Sequence, residues 1–218
     1  RMNALVVGGT GLVGRHLVKA LLDSDAFSLV TVVVRKKHFK KHPKLKEVLF
    51  NFNDNILLEG LDAPDHLFCC IGTTIKKAGS QKKFKDVDFG IPLLFGNWAE
   101  RNNVNSFSIV TSMGADRKSK IFYNRVKGEV ENKIKKMSIP KINIFRPSLI
   151  LGNRDESRPG EKLAQIIFKV INPLFFGPLK KYKAIEAKKI AMGMVYYLEE
   201  DMGSGTHIIE SDMIHQKK

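Results

Sequence analysis

A glycine cluster at the start of the chain restricts the fold more than any other feature of the sequence. Residues 8–14 read GGTGLVG, follow the apolar run ALVV at residues 4–7 and open a helical pattern over residues 11–22. The spacing of Gly9, Gly11 and Gly14 permits a tight strand-to-helix turn and lets the backbone approach a pyrophosphate at the helix N-terminus. The segment therefore predicts a strand–turn–helix unit that binds a dinucleotide, with a glycine-rich turn that has no ligand as the alternative.

The rest of the chain alternates short apolar runs with helical patterns. Strands are predicted at residues 4–8, 29–34, 46–50, 66–71, 106–111 and 141–145, with a weaker one at 206–209. Helices are predicted at residues 11–22, 91–102, 118–137, 161–171 and 185–199. Two strand runs, ALVV and LVTVVV, lack alternation and are typical of parallel strands covered by helices on both faces. We therefore expect a single α/β domain over residues 1–218 with a doubly wound, mostly parallel sheet of six or seven strands. Residues 149–218 add a small C-terminal cap on the substrate side.

The end of the second predicted strand indicates which dinucleotide binds. A site for NAD usually carries an acidic residue about 20 residues after the glycines, but here that place is taken by Arg35 and Lys36. A cation at this point suits a 2′-phosphate, so the sequence predicts NADP(H), with a solvated basic loop as the alternative. Asp54, after the third strand, either accepts a hydrogen bond from the adenine amine or caps a helix. The turn itself is expected to supply contacts from Gly8, Thr10, Gly11, Leu12 and Val13.

A second constellation predicts acid–base chemistry. Tyr123 and Lys127 lie four residues apart in a predicted helix, so they share one face and border its apolar stripe. A nearby ammonium favours the phenolate form, which lets a tyrosine exchange a proton with a carbonyl or alcohol oxygen. Ser112 ends the fifth predicted strand, at the sheet edge where ligands bind, and its hydroxyl can orient the same oxygen. A tyrosine that merely packs in its helix is the alternative.

Five stretches resemble the atypical and extended members of the short-chain dehydrogenase/reductase superfamily. They read CCIGTT (69–74), SMGAD (112–116), YNRVKGEVE (123–131), FRP (145–147) and ESRPGE (156–161). The resemblance covers nearly the whole chain and is nearest to the small atypical branch that contains the human Tat-interacting metastasis-suppressor oxidoreductase. It implies a Rossmann domain that binds NADP(H), with Ser112, Tyr123 and Lys127 as the catalytic set. The further cofactor contacts that it implies are Gly72, Thr73, Thr111, Tyr123, Lys127, Arg146 and Pro147.

The resemblance implies an oxidoreductase that passes hydride between NADP(H) and a small carbonyl or alcohol. The chain departs from better-known members where the fourth strand ends, because CCIGT replaces their NNAG. A cofactor-bound regulatory protein with little turnover and a nucleotide-sugar epimerase are the alternatives.

The charge of the chain bears on its partners. The net charge is +15, and many of the cations lie within residues 35–46 and 76–85, on the predicted dinucleotide edge. Such a field attracts a polyanionic cofactor and suits an anionic substrate. No motif for sequence-specific nucleic-acid binding, transmembrane run or secretory signal is found, and neither the His38–His42 pair nor Cys69–Cys70 indicates a metal site. We therefore expect a cytoplasmic protein without bound metal, and a homodimer is left open.

Overall fold

The computed structural model describes residues 1–51, 56–152, 177–200 and 202–215. Seven strands of these residues form one parallel sheet in the order β3-β2-β1-β4-β5-β6-β9. Their bounds are β1 Met2–Val7, β2 Phe27–Val34, β3 Leu45–Leu49, β4 His66–Cys69, β5 Ser106–Val110, β6 Lys141–Arg146 and β9 Gly205–Glu210. A separate parallel pair is formed by β7 (Ile150–Leu151) and β8 (Ile185–Glu186). The predicted doubly wound α/β sheet is confirmed.

Helices connect the strands. The α-helices are α1 Leu12–Asp23, α2 Ile56–Glu59, α3 Ile75–Ala78, α4 Gln81–Lys85, α5 Ile91–Arg101, α6 Phe122–Ile134, α7 Ala187–Glu199 and α8 Ser211–His215. A π-helical turn, Asp86–Gly90, joins α4 to α5, and a 3₁₀ helix covers Gly177–Tyr182. The helix predicted at residues 161–171 lies outside the described residues. No helix of the described residues is long and apolar enough to cross a membrane.

The helix predicted at residues 118–137 is shorter in the structure, where α6 begins at Phe122. The residues before it form a turn, because the Ser119 hydroxyl accepts from the Ile121 amide and the Arg125 guanidinium donates to the Ser119 carbonyl. These local bonds offer the backbone an alternative to helical hydrogen bonds. The turn leads the chain from β5 to α6 at the carboxyl edge of the sheet.

Two apolar clusters, one on each face of the sheet, form the core. Val6 and Val32 pack with α1 and α7, whereas Leu5 and Val7 pack with Phe95 of α5 and with α6. Successive residues of β1 are therefore buried on opposite faces, which explains why its sequence does not alternate. Among the described residues of 149–218, β9 joins the sheet and α7 joins the core, while β7 and β8 form a separate two-stranded sheet whose Ile185 is buried in the same core.

Candidate functional site

The glycine turn forms a cradle at the carboxyl end of β1. Gly8 has a φ of +80°, and a Cβ there would lie 2.7 Å from the Cys70 carbonyl carbon. A Cβ at Gly14 would lie 2.0 Å from the Gly8 carbonyl oxygen, so only glycine lets α1 approach the turn this closely. Helix α1 begins after Gly11 with no side-chain cap and no acidic residue in its first turn. Its first amides are thus suited to a bound anion.

The basic pair lies beside this cradle. Val7 of β1 pairs with Val33 of β2, so Arg35 and Lys36 leave the sheet next to the glycine turn, and both are exposed. Glu47 of β3 holds the loop that follows, since its carboxylate accepts from the backbone amides of His38 and Phe39. The loop therefore starts from a fixed position. Asp54 lies outside the described residues.

The end of β4 forms the neighbouring wall. Burial raises the pKa of the Cys69 thiol to about 12 and also raises the pKa of Cys70, so both are neutral thiols, and neither forms a disulfide. Gly72 is exposed, and a Cβ there would meet nothing within 4 Å. The Thr73 amide donates to Asp88 Oδ2 at 3.1 Å. Because Cys69 of β4 pairs with Val7 of β1, Gly72 and Thr73 lie in the loop next to the glycine turn.

Asp88 and Lys127 form a buried ion pair that the sequence did not reveal. Lys127 Nζ lies 2.6 Å from Asp88 Oδ1, and the two side chains are 4% and 0% exposed. Burial disfavours the ammonium, but the Asp88 carboxylate, together with the weaker effects of other neighbours, outweighs it, so the pKa of Lys127 is raised. Burial also raises the pKa of Asp88, against the opposing effect of Lys127. The pair holds an ammonium at the carboxyl edge of the sheet.

Tyr123 lies one helical turn before Lys127 on α6. Its ring centroid is 5.7 Å from Lys127 Nζ and 5.5 Å from the ring centroid of Phe84. The phenol is partly exposed, whereas Lys127 is buried. The structure thus places the tyrosine at the edge of the core, where a ligand can reach it.

The segment that carries Ser112 is fixed against the same helix. The Asp116 amide donates to the Asn124 carbonyl, and a Cβ at Gly128 would lie 2.1 Å from the Arg117 backbone nitrogen. These contacts flank Tyr123 and Lys127 along α6. Ser112 Oγ is buried and has no hydrogen-bond partner among the described residues. A buried hydroxyl without a partner is suited to a ligand that supplies one.

Thr111 and Arg146 meet Glu131, a second buried carboxylate on α6. Thr111 Oγ1 donates to Glu131 Oε1 at 2.7 Å, and the Arg146 guanidinium binds both Glu131 oxygens, at 3.0 and 2.6 Å. Arg146 also contacts Glu210, and the bonds to Glu131 chiefly raise the pKa of Arg146. Both predicted cofactor residues therefore have their side chains engaged with the protein. Pro147 lies beside them, and its carbonyl accepts from the Met113 amide.

Sequence signals for Asp88 and Glu131 were weak. Asp88 is one of two aspartates in KDVDFG, and nothing in the spacing distinguishes it from Asp86. Glu131 lies four residues after Lys127, which places it on the Tyr123–Lys127 face. That position next to an apolar stripe was the available hint that its carboxylate is buried. Among the described residues, no group of three or more His, Cys, Asp or Glu could hold a metal.

Comparisons with known proteins agree with the resemblance read from the motifs. Residues 4–121 match the model of the NAD dependent epimerase/dehydratase family. Protein HTATIP2 from Rattus norvegicus is 36% identical over 174 residues, covering 76% of this chain and 70% of that protein. The mitochondrial protein FMP52 from Debaryomyces hansenii is 30% identical over 209 residues, covering 94% of this chain and 91% of that protein.

Solved structures share the fold at lower identity. The UDP-glucose 4-epimerase of Thermotoga maritima, solved with UDP-glucose, has a TM-score of 0.71 at 16% identity. The aligned region covers 96% of this chain and 77% of the epimerase chain. The Bordetella bronchiseptica enzyme WbmH, solved with NAD+, has a TM-score of 0.71 at 18% identity and covers 96% and 76%. These likenesses support the Rossmann-type architecture.

The relatives correct one expectation. A cytoplasmic location was expected from the sequence, and this expectation is wrong, because the fungal relatives are named mitochondrial. The expectation rested on the lack of a secretory signal and of a transmembrane run. Neither feature separates the cytoplasm from a mitochondrial location, so the inference had no physical basis for that choice.

Proposed function

Because the chain belongs to the NAD dependent epimerase/dehydratase family, we propose that it is an oxidoreductase that uses NADP(H) and a small carbonyl or alcohol substrate. This proposal rests on the grouping of Lys127, Tyr123 and Ser112 at the carboxyl edge of the sheet. An ammonium, Lys127 Nζ, lies 5.7 Å from the ring centroid of a partly exposed tyrosine. The Ser112 hydroxyl, on the segment that is bound to the same helix, is buried without a partner among the described residues. This is the donor set that a substrate oxygen needs during proton transfer.

The described residues fit a dinucleotide. The cradle that a Cβ at Gly8 or Gly14 would fill, together with the uncapped start of α1, suits the pyrophosphate. Exposed Arg35 and Lys36 support a 2′-phosphate, and Gly72 and Thr73 border the same space. When bound, the cofactor supplies the hydride that reduces the substrate carbon. The side chains of Thr111 and Arg146 contact Glu131, so we assign them the indirect role of fixing the ends of β5 and β6.

The protein's own residues handle the substrate oxygen. During reduction of a carbonyl, Tyr123 donates its phenolic proton to the oxygen, and Ser112 donates a hydrogen bond that orients it. The ammonium of Lys127 stabilises the phenolate that remains. Exposed lysines of α3 and α4, such as Lys76 and Lys83, suit an anionic substrate on the same edge.

Turnover tests the catalytic set. A panel of aldehydes, ketones and nucleotide sugars should include a substrate whose NADPH-dependent turnover falls about 10²- to 10⁴-fold in Tyr123→Phe. Tyr196→Phe removes a phenol from α7, on the other face of the sheet, and should leave turnover unchanged. Tight NADPH binding without turnover on any member would instead favour a regulatory protein. Interconversion of nucleotide sugars without net oxidation would favour an epimerase.

Cofactor selectivity tests the basic pair. Arg35→Ala should weaken NADPH about 10- to 100-fold, the range for one charged hydrogen bond, and leave NADH nearly unchanged. Lys36→Ala should show a smaller effect of the same kind, and Lys41→Ala, exposed farther along the loop, should show none. Equal losses for both dinucleotides in Arg35→Ala would refute the assignment. The names of the fungal relatives also lead us to propose a mitochondrial location, which fractionation of cells that express the protein would test.

A further inference from the structure

Asp88 joins two parts of the candidate site. Its Oδ1 accepts from Lys127 Nζ at 2.6 Å, and its Oδ2 accepts from the Thr73 amide at 3.1 Å. The carboxylate is completely buried. A single side chain therefore links the loop after β4, which borders the proposed cofactor space, to the helix that carries Tyr123.

We propose that Asp88 is a positioning residue that orients the Lys127 ammonium and sets how much of its charge acts on the Tyr123 phenol. This inference rests on the proposed function, since it concerns the same tyrosine and lysine. It goes beyond that function because it assigns a role to a residue outside the catalytic set.

The orientation follows from donor number. An ammonium has three N–H donors, and a carboxylate accepts only. The contact with Asp88 takes one donor and fixes the direction of the other two. Two donors of fixed direction then remain for a ligand, so Asp88 orients Lys127 before a ligand binds.

The effect on charge follows from distance. Lys127 Nζ lies 2.6 Å from Asp88 Oδ1 and 5.7 Å from the Tyr123 ring centroid, so Oδ1 is within 8.3 Å of that centroid. At this range the charge of a buried carboxylate still acts on the phenol, because screening is weak at the edge of the core. The negative charge of Asp88 thus opposes the stabilisation of phenolate by Lys127.

Other titratable groups near the pair are either neutral or paired with other charges. The Cys69 thiol faces Lys127 and Asp88, but burial raises its pKa to about 12 and leaves it neutral. On the π-helical turn and α6, Asp86 and Glu129 form surface pairs with Lys82 and Lys85, and the buried Glu131 pairs with Arg146. Asp88 is therefore the carboxylate that contacts Lys127 directly.

The π-helical turn supplies a matched control. Asp86 and Asp88 lie two residues apart on it, yet Asp86 is 60% exposed and pairs with a surface lysine, whereas Asp88 is buried. Asp86→Asn and Asp88→Asn remove the same charge from the same turn. Asparagine at position 88 also keeps an oxygen for the Thr73 amide.

The experiment follows the ammonium directly by NMR, with ¹³C at lysine Cε and the Lys127 signal assigned from its loss in Lys127→Met. Asp88→Asn should lower the pKa of Lys127, because the carboxylate that raises it is lost, and Asp86→Asn should leave it unchanged. Asp88→Asn should also weaken NADPH, because the released ammonium must be ordered on binding. An unchanged pKa of Lys127 in Asp88→Asn would overturn the inference.

A measurement on the wild-type protein covers the case in which Asp88→Asn does not fold. The carboxyl carbon of Asp88, followed by NMR across the pH range, should show an ionised carboxylate at pH 7, and a neutral one would overturn the inference. Neither NMR measurement needs turnover. A negative result in the substrate panel, which would refute the oxidoreductase proposal, can therefore be distinguished from a negative NMR result, which would refute the role assigned to Asp88.

Discussion

The substitution Lys127→Met tests how much the buried ion pair stabilises the protein and how that stabilisation depends on pH. Methionine has a chain of similar length without the charge, so the substitution leaves Asp88 fully buried and without its cation. Removal of one partner of a buried pair costs about 3–5 kcal/mol, because an unpaired charge stays in the core. We expect the free energy of unfolding at pH 7 to fall by that amount.

The sign of the pH dependence follows from the protonation of Asp88. Burial raises the pKa of Asp88 in the folded protein, so the folded state binds a proton more readily than the unfolded state, whose aspartate pKa is about 3.9. Stability therefore falls as pH rises from about 4 through the folded-state pKa, by at most about 1.4 kcal/mol per pH unit. The cost of about 3–5 kcal/mol in Lys127→Met is thus spread over roughly two to four pH units.

Urea denaturation of wild type and Lys127→Met at several pH values between 4.5 and 8 measures this difference. The double variant with Asp88→Asn should recover most of the stability and lose the pH dependence. Lys82→Met breaks a pair of the same type whose side chains are 86% and 60% exposed, and should cost under about 1 kcal/mol at every pH. A cost for Lys127→Met that is the same at pH 5 and pH 8 would refute the reasoning.

Three further predictions concern the cradle, the second carboxylate and the thiols. Gly14→Ala should lose about 1–3 kcal/mol of stability and most dinucleotide binding, because its Cβ would meet the Gly8 carbonyl. Gly72→Ala should retain its stability. Thermal unfolding and NADPH titration compare the two variants. Glu131→Gln should lower the free energy of unfolding by about 1.5–3 kcal/mol, because the charge and one of the two oxygens that accept from Arg146 are lost, and an unchanged value in urea would contradict the assigned network. The buried Cys69 thiol, with its pKa raised to about 12, should react with iodoacetamide at pH 8 only as fast as the protein unfolds, and rapid labelling of the folded protein would contradict its burial.

Local sequence patterns were enough to predict the sheet and the cradle. The runs that form β1 and β2 show burial on both faces, and the glycine spacing fixes the turn through backbone sterics that need no distant partner. Tyr123 and Lys127 were predictable for the same reason, because a spacing of four residues on a helix sets their common face.

The partners of these residues depend on tertiary contacts. Asp88 and Lys127 are 39 residues apart in sequence, and a π-helical turn determines that Asp88, and not Asp86, faces the core. Hydrophobic periodicity carries no information about such a turn, because one extra residue per turn changes which side chain is buried. The side-chain contacts of Thr111 and Arg146 were missed because both depend on Glu131, which belongs to another element.

Helix α6 shows what the buried charges do for the site as a whole. Tyr123, Lys127 and Glu131 follow one another at four-residue spacing beside the apolar stripe, so the helix presents a polar row toward the sheet edge. Burial of an ammonium and a carboxylate in this row is tolerable only if each has a partner, and those partners come from the turn after α4 and from β6. The two ion pairs therefore fix α6 to both sides of the carboxyl edge. A helix held at Lys127 and Glu131 is also constrained one turn earlier, where the partly exposed Tyr123 lies.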